Sequence, residues 1–348
     1  MKNNLKNEKG LTWSLYQVWN ESLEAGRPER ELKARDHIWA TEIGSSYLDR
    51  YLKMKGEKPS NPPNVRSLRK FEAGNLMEWV VGLVLKRAGI FVSQQDWVKF
   101  QYSPNLLSVT GKLDYRAGGK VDWDKARSEV DELGLPEFFG RATRKIVDNL
   151  SKKFPDGLEE IFLGIKSCSS FKFDDYEANG IDPRHAAQEF HYLKATGKKE
   201  AHNIYICKDD LRMLEFGVFN PSETETYYKN DITLMTHYLN SNEQPPKEEE
   251  VYFDEVTMKF TKNWKVEYSN YLTMLYGYSE PEAYRARWDG KITQFKRTFN
   301  RIVDGKKETP LDKTITEELK ATFPNLDAYI AMAKAKPKVI EEDQPKLI

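Results

Sequence analysis

A short apolar segment at residues 160–167, Glu-Ile-Phe-Leu-Gly-Ile-Lys-Ser, places the strongest constraint on the fold of this chain. Apolar runs of this length between polar residues are typical of a strand that is buried on both faces. Because side chains alternate along a strand, Gly164 and Lys166 point to the same side. An unpaired buried ammonium group is costly, so Lys166 needs an anionic partner such as a phosphate. The segment therefore predicts a central strand that ends at an anion.

Two further segments carry polar residues at the ends of predicted elements. Residues 106–114 form a second predicted strand, which ends in the carboxylate of Asp114. Residues 182–192 begin with Asp-Pro, the N-cap and first-turn residues that helices favour. On this helix Gln188 and Tyr192 are four residues apart and therefore share one face. The sequence thus predicts two polar strand ends followed by a helix with a polar face.

This succession resembles the PD-(D/E)XK nuclease superfamily, and most of all its RecB-type and lambda-exonuclease-like branch. The resemblance rests on Asp114 in Gly-x-x-Asp, on Lys166 at a strand end and on the Gln-x-x-x-Tyr pair of the next helix. Glu78 matches the glutamate that this branch carries on an early helix. The resemblance covers about residues 36–220. It implies an α/β fold with an αβββαβ core, in which helices flank a mixed sheet.

The resemblance also implies a metal site and a reaction. Phosphodiester hydrolysis needs an activated water and relief of phosphate charge, which Mg²⁺ or Mn²⁺ provides when oxygen ligands hold it. The implied ligands are Glu78, Asp114 and the backbone carbonyl of Ile165. Lys166 would orient the water or stabilise developing charge, and the Gln-x-x-x-Tyr pair would brace the site and contact the substrate backbone. The predicted catalytic residues are Lys166, Asp114, Gln188 and Tyr192.

Gly164 departs from the family pattern, which has Asp or Glu two residues before the lysine. Glu160 lies on the same strand face, but about 13 Å away at roughly 3.3 Å per residue, beyond the reach of its side chain. The sequence offers His185, on the predicted helix, and Asp174 or Asp175, in a predicted loop after the strand, as replacements. Two alternatives stay open: a nuclease with a substitute ligand, and a catalytically inactive DNA-binding or scaffolding protein on a decayed nuclease fold.

The composition bounds the class of protein. The chain has 348 residues, of which 39% are hydrophobic and 12% aromatic, a composition that argues against global disorder. No segment approaches the roughly 20 apolar residues of a membrane span, and the N-terminal sequence lacks a signal-peptide core. The two cysteines fit neither a disulfide framework nor the four-cysteine iron–sulfur cluster of several RecB-type proteins. These features favour a cytoplasmic protein of a bacterium or a phage-infected host cell.

The charge balance limits how the chain can contact nucleic acid. Its 54 basic and 54 acidic residues give no net charge, so DNA contact must come from local patches. One candidate patch follows residue 279, where basic and aromatic residues alternate as in surfaces that contact phosphates and stack bases. The helical spacing of the aromatics also fits an amphipathic helix with a solvated basic face. The candidate DNA-binding residues are Arg285, Arg287, Lys291, Arg297 and Arg301.

The chain is expected to divide at a polar, proline-containing linker, residues 241–250. A long helix is predicted at residues 66–88, with Gly89 as its C-terminal cap and with Leu68, Phe71, Leu76, Val80 and Leu83 facing a core. The preceding segment, residues 38–54, is expected to carry Ile43, Leu48, Tyr51 and Leu52 along one side. A helical insertion at residues 123–154 separates the two polar strand ends. The expected parts are an N-terminal helical segment (1–35), a PD-(D/E)XK nuclease-like domain (36–240), a helical C-terminal domain (251–335) and a tail (336–348).

The sequence as a whole predicts a magnesium- or manganese-dependent DNA nuclease, an exonuclease or endonuclease, in recombination, repair or phage DNA processing. The inactive DNA-binding or scaffolding protein is the alternative, and a phage structural protein is a third hypothesis without a positive sign. DNA is the expected partner and a membrane is not. A homo-oligomer or a recombination partner protein stays open.

Overall fold

The computed structural model describes residues 15–26, 33–132, 134, 136–219 and 221–335. These residues form two compact units. The first unit contains the described residues up to 58 and those from 63 to 244, and the second contains residues 59–62 and those described from 245 onward. The predicted tail, 336–348, and residues 1–14 and 27–32 of the predicted N-terminal segment lie outside the described residues.

The first unit is a mixed α/β structure. Its strands are β1 (His37–Trp39), β2 (Phe91–Phe100), β3 (Ser108–Gly119), β4 (Leu158–Cys168), β5 (Ala201–Cys207) and β6 (Met213–Val218). Its helices are α1 (Leu15–Ala25), α2 (Tyr47–Met54), α3 (Val65–Arg87), α4 (Trp123–Glu132), α5 (Glu137–Lys153), α6 (Ser170–Asn179), α7 (Pro183–Thr196) and α8 (Ser222–Asn240), with a short 3₁₀ turn at Ala40–Glu42. The predicted order of helix, three strands, helix and strand is confirmed by α3, β2–β4, α7 and β5.

The six strands form one mixed sheet around β3 and β4. The strand order is β1-β3-β4-β5-β6, with β2 paired to β3. Strand β2 pairs with residues 109–117 along one edge of β3, whereas β1 pairs with residues 108–110 and β4 with 115–119. Strands β1 and β4 therefore share the other edge. Between them, at residues 111–114, the described strands leave that edge open.

Helices cover both faces of this sheet. One face packs against α7 and α8 through residues such as Phe162, Phe190 and Ile232. The other packs against α3 through Val81, Leu85, Leu163 and Ile165. Alternation along β4 thus directs Phe162 towards α7 and Leu163 towards α3, so that Gly164 also faces α7.

The packing of α3 differs from the sequence prediction. The expected inward-facing residues were Leu68, Phe71, Leu76, Val80 and Leu83. Phe71, at 58%, and Leu76, at 50%, are instead exposed, as are Val80 and Leu83. The buried residues are Val81, Gly82 and Leu85. Apolar residues occur on several sides of this helix, so their spacing along the sequence did not identify the face that is buried. The ring of Tyr115, which occupies the space where a Cβ on Gly82 would lie, decides it.

Two local predictions are also wrong. Residues 38–54, expected to place their apolar residues along one side of a single segment, instead contain β1, the 3₁₀ turn and α2. Asp174 and Asp175 lie in α6 and not in a loop. Sequence spacing alone does not fix where one element ends and the next begins.

The second unit is mainly helical. Its helices are α9 (Trp264–Glu267), α10 (Leu272–Tyr276), α11 (Pro281–Val303), α12 (Pro310–Thr322) and α13 (Leu326–Ala335). A two-stranded antiparallel sheet of β7 (Val251–Asp254) and β8 (Lys259–Lys262), absent from the sequence prediction, completes it. Aromatic side chains of α11 and both strands form its core. Among the helices that the structure describes, none combines the length and hydrophobicity of a membrane-spanning segment.

Candidate metal-binding and catalytic site

Asp114 and Lys166, far apart in the sequence, meet where β3 and β4 separate. The two strands pair up to Tyr115 and Leu163. Beyond that point a side chain replaces the backbone as hydrogen-bond acceptor: Oδ2 of Asp114 accepts the backbone N–H of Ile165 at 2.8 Å. The Nζ of Lys166 lies 3.5 Å from the same Oδ2, and the two side chains are 20% and 16% exposed. The pair is therefore held by the fold and still open to solvent on one side.

Lys166 is the cation at the centre of a group of carboxylates. Burial disfavours its charged form, but the negative charges of Asp114, Glu189 and Glu78 outweigh burial and raise the pKa of Lys166 above its ordinary value. The side chain consequently stays an ammonium group at neutral pH. A positive charge fixed at a strand end can orient a phosphate or stabilise charge that develops on it.

Glu78 approaches this group from α3, on the side of β2. Its Oε1 accepts a hydrogen bond of 2.6 Å from Nε2 of Gln95. Gln95 has a φ of 56°, a left-handed conformation that interrupts the regular pairing of β2 opposite Asp114. Burial, followed by the charge of Asp114, raises the pKa of Glu78 above its ordinary value. Sequence reasoning missed Gln95, for which the sequence carries no recognisable signal.

Gln188 and Tyr192 brace the open edge of β3. The hydroxyl of Tyr192 accepts a 2.8 Å hydrogen bond from Nε2 of Gln188. It donates to the carbonyl oxygen of Lys112 at 2.7 Å, within the stretch that the described strands leave unpaired. Both side chains are buried, at 4% and 1% exposed. Their burial fits the predicted bracing role and leaves little surface for the predicted contact with a substrate backbone.

Glu189, on α7, occupies the place where a side chain at Gly164 would lie. A Cβ built on Gly164 would overlap Oε1 of Glu189 and come within 3.2 Å of Nδ2 of Asn203. Glu189 is fully buried, and its Oε1 accepts a 3.3 Å hydrogen bond from Asn203. Its Oε2 is buried with no hydrogen-bond partner in the described part of the chain. Sequence reasoning missed this residue, although an acidic residue next to Gln188 on a buried helix was a signal that could have found it.

The surroundings of Glu189 disfavour its charged form. Burial raises the pKa of Glu189 to about 8, and the charge of Asp114 adds to this shift, whereas Lys166 and the hydrogen bond from Asn203 oppose it. A buried carboxylate with one satisfied oxygen is unstable in its charged form unless a cation compensates it. The site therefore holds a carboxylate whose second oxygen is available.

The replacements that the sequence suggested for Gly164 are engaged elsewhere. Asp174 pairs with Arg212 at 2.9 Å, and Asp175 pairs with Lys172 at 3.0 Å on the surface of α6. His185 contacts the hydroxyl of Tyr205 through Nδ1 at 2.8 Å. Burial, followed by the charge of Lys166, lowers the pKa of His185 to about 3, so this imidazole is neutral at physiological pH.

A cavity of about 620 Å³ opens beside the pair. Glu78, Ile165 and Lys166 line it, as do Lys70 and Lys208, together with further residues that include Gly74, Asn75 and Ser167. Its walls thus combine the carboxylate of Glu78 with the ammonium groups of three lysines, which suits an anionic ligand that is bound next to a cation.

The donors at this site fit a hard divalent cation. They are oxygen atoms of carboxylates and of the Ile165 backbone, which are the ligands that Mg²⁺ and Mn²⁺ prefer. Within the described ranges, no group of three or more His, Cys, Asp and Glu side chains is placed to hold a metal ion. A metal here would therefore complete its coordination with backbone, water or substrate oxygens, as Mg²⁺ commonly does. The orphaned Oε2 of Glu189 is the observation that favours such a cation.

The basic helix of the second unit, α11, uses its aromatic side chains for packing. Tyr284, Trp288, Phe295 and Phe299 are buried in the core of that unit, as expected for a plain amphipathic helix. Several basic side chains have acidic or aromatic partners: Arg285 pairs with Glu267, Lys291 with Glu318 and Arg301 with Asp312, and Arg287 lies over Tyr278 and Trp288. Arg297 is exposed. A role of these residues in DNA contact stays a prediction.

Comparisons with known proteins give weak structural similarities only. No family model matches the chain, and no curated protein matches it. Among solved structures, a protein designated SSO0001 is similar with a TM-score of 0.42 and 11% identity, over 75% of this chain and 95% of that chain. An alkaline exonuclease from Laribacter hongkongensis is similar with a TM-score of 0.29 and 9% identity, over 65% of this chain and 97% of that chain. Both similarities are too low to carry an argument about function.

Proposed function

We propose that this protein is a metal-dependent nuclease that hydrolyses phosphodiester bonds of DNA with Mg²⁺ or Mn²⁺. The observation that carries the proposal is the meeting of Asp114 and Lys166 at 3.5 Å where β3 and β4 separate. A carboxylate that can hold a cation and an ammonium group that can face a phosphate are the two charges that this hydrolysis requires. Their partial exposure leaves room for a substrate.

Each residue of the site would have a distinct role in the reaction. Asp114, Glu78 and the carbonyl of Ile165 would hold the metal, which supplies activated water and relief of phosphate charge when bound. Lys166 would orient the water or stabilise the charge that develops on the phosphate. Gln188 and Tyr192 would keep the open edge of β3 in place through the Lys112 carbonyl, and would not react themselves.

The cavity beside the site favours a nucleic-acid strand as the ligand. Lys70 and Lys208, which line it together with Lys166, can contact successive phosphates of a backbone. We propose DNA as this ligand, and recombination, repair or phage DNA processing as the setting.

The proposal predicts metal-dependent cleavage that depends on the central pair. Linear and circular DNA incubated with Mg²⁺ or Mn²⁺ should be cut by the wild type, and Asp114→Asn and Lys166→Met should each reduce the rate by at least about a hundredfold, since the loss of one preorganised charge has effects of this size. Gel analysis of products against time measures the rate. Asp174→Asn, which changes a surface carboxylate paired with Arg212, is the matched control and should retain the wild-type rate.

Two results would contradict the proposal. Equal cleavage by the wild type and the Asp114→Asn variant would remove this site from the reaction. No cleavage by a folded wild type with either metal, combined with salt-sensitive DNA binding, would favour the inactive DNA-binding protein that the glycine at position 164 suggests.

A further inference from the structure

We infer that Glu189 supplies the metal site, from helix α7, with the carboxylate that strand β4 lacks, and that position 164 is glycine because this carboxylate fills the place of its side chain. The inference deepens the proposed function, on which it rests. It also bears on whether the site is intact, because it identifies what replaces the acidic residue that the strand lacks.

The first argument is the use of space. Gly164 and Lys166 are two residues apart on β4 and point to the same side, towards α7. A side chain at position 164 would project from the strand beside Lys166, and that volume is filled by Oε1 and Cδ of Glu189. The helix thus delivers a carboxylate to the location where a strand carboxylate would otherwise stand.

The second argument is the chemistry of the buried carboxylate. Glu189 is 0% exposed, and its Oε2 has no hydrogen-bond donor among the described residues. Buried polar atoms are nearly always partnered, so an orphaned carboxylate oxygen indicates a missing cation or water. Lys166 interacts with it electrostatically but forms its ion pair with Asp114. A divalent cation bound with Glu189 as one of its ligands would satisfy the free oxygen.

The third argument is the rigidity of the support. Asp182 caps the N-terminus of helix α7, and its side chain accepts the backbone N–H of Arg184. All residues of this helix from Ala186 to Leu193 are buried. Asn203, which pairs with Gly164 across β4 and β5, donates to Oε1 and fixes the carboxylate orientation. A ligand held by packing and by a hydrogen bond is positioned before the metal arrives, as metal sites require.

A purely structural role gives a different expectation. If Glu189 were only a neutral acid that hydrogen bonds to Asn203, Gln would replace it with the same shape and without loss of metal affinity. If Glu189 is a ligand, metal affinity depends on a negative charge at this place and not on whether the helix or the strand carries it. Moving the carboxylate from the helix back to the strand, with Glu189→Ala and Gly164→Glu together, should then preserve metal binding.

The experiment measures Mn²⁺ affinity by isothermal titration calorimetry without DNA. We expect Glu189→Gln to weaken Mn²⁺ binding at least about tenfold, in line with the effect of disturbing a ligand shell. The combined Gly164→Glu and Glu189→Ala variant should bind within a few fold of the wild type. Glu200→Gln, a change in an acidic residue paired with His202 away from the site, is the control and should bind as the wild type does. Circular dichroism establishes that each variant is folded.

The outcomes separate this inference from the proposed function. Wild-type Mn²⁺ affinity in Glu189→Gln would overturn the inference, and so would a wild type that binds no Mn²⁺. Loss of Mn²⁺ binding in Glu189→Gln together with a wild type that cuts no DNA would support the inference and refute the nuclease. If Glu189→Gln does not fold, the combined variant decides, and its failure to bind Mn²⁺ when folded would overturn the inference.

Discussion

At the scale of single residues, burial decides how the ionisable groups of α7 behave. Glu189 and His191 lie on the same helix and are both fully buried. Burial disfavours the charged form of each, so it raises the pKa of the acid and lowers that of the base. Lys166, in contrast, keeps its charge because carboxylates surround it. The charge of Lys166 is thus compensated by acidic partners, whereas burial disfavours charge on Glu189 and His191.

His191 should make the protein sensitive to acid. Burial lowers the pKa of His191 from 6.5 to about 3. Between pH 6.5 and about 3, His191 is protonated in the unfolded chain but not in the folded protein. The free energy of unfolding therefore decreases as the pH falls below 6.5. The decrease is at most about 1.4 kcal/mol per pH unit for one group. Above pH 6.5 this group makes no pH-dependent contribution.

Replacement of His191 by Gln tests this pH dependence. Urea denaturation at pH 7.5, 6 and 5 should show that the stability difference between the wild type and His191→Gln shrinks as the pH falls. Parallel pH profiles for the wild type and His191→Gln would refute the prediction.

At the scale of elements, one buried ion pair connects α2 to α8. Nη1 and Nη2 of Arg50 contact the two carboxylate oxygens of Asp231 at 2.6 and 2.8 Å. The side chains of Arg50 and Asp231 are 0% and 5% exposed. Asp231 also accepts the backbone N–H of Gly44 at 3.1 Å. The pair therefore fixes the chain between the 3₁₀ turn and α2 onto the helix that covers the sheet.

Removal of Asp231 should strongly destabilise the first unit. Asp231→Ala leaves a buried guanidinium group without its carboxylate, which costs about 3–5 kcal/mol. Asp124→Ala, which breaks a pair between an exposed aspartate and Arg127, should cost no more than about 1 kcal/mol. Urea denaturation of the purified variants measures both. Equal losses of stability would show that the buried pair has no special role.

At the scale of the whole molecule, neutrality shapes how DNA can bind. The formal net charge is zero, so attraction to phosphates must be concentrated at local groups such as Lys70 and Lys208 in the cavity. Non-specific coating of DNA by the entire surface is not expected. The basic side chains of α11 add little where acidic partners already neutralise them.

The salt dependence of DNA binding should reveal these few contacts. A plot of log affinity against log salt concentration, measured by fluorescence anisotropy with Ca²⁺ in place of Mg²⁺, should lose about one unit of slope in Lys70→Ala and in Lys208→Ala. Arg285→Ala, which removes a side chain paired with Glu267, should leave the slope unchanged. A reduced slope for Arg285→Ala alone would place the contacts on the second unit instead.

Element types were largely predictable because they depend on local patterns. The apolar run before Lys166 predicted β4, the Asp-Pro start predicted α7, and Gly89 predicted the end of α3. The inward face of α3 was not predictable, since its apolar residues surround the helix and the Tyr115 ring selects one side. The hairpin of β7 and β8 was missed because its strands are only four residues long.

The sequence by itself determined the order and type of most elements, because helix and strand signals act over a few neighbours. It placed Asp114 and Lys166 on two strands that the fold could bring together, but the expected end of the first strand at Asp114 was wrong, because β3 continues to Gly119. Only the tertiary structure decided that Glu189 reaches the position beside Gly164. That contact brings a helix side chain into the space that a side chain at position 164 would occupy. The two residues are distant in the sequence, so no local pattern predicts that they will meet.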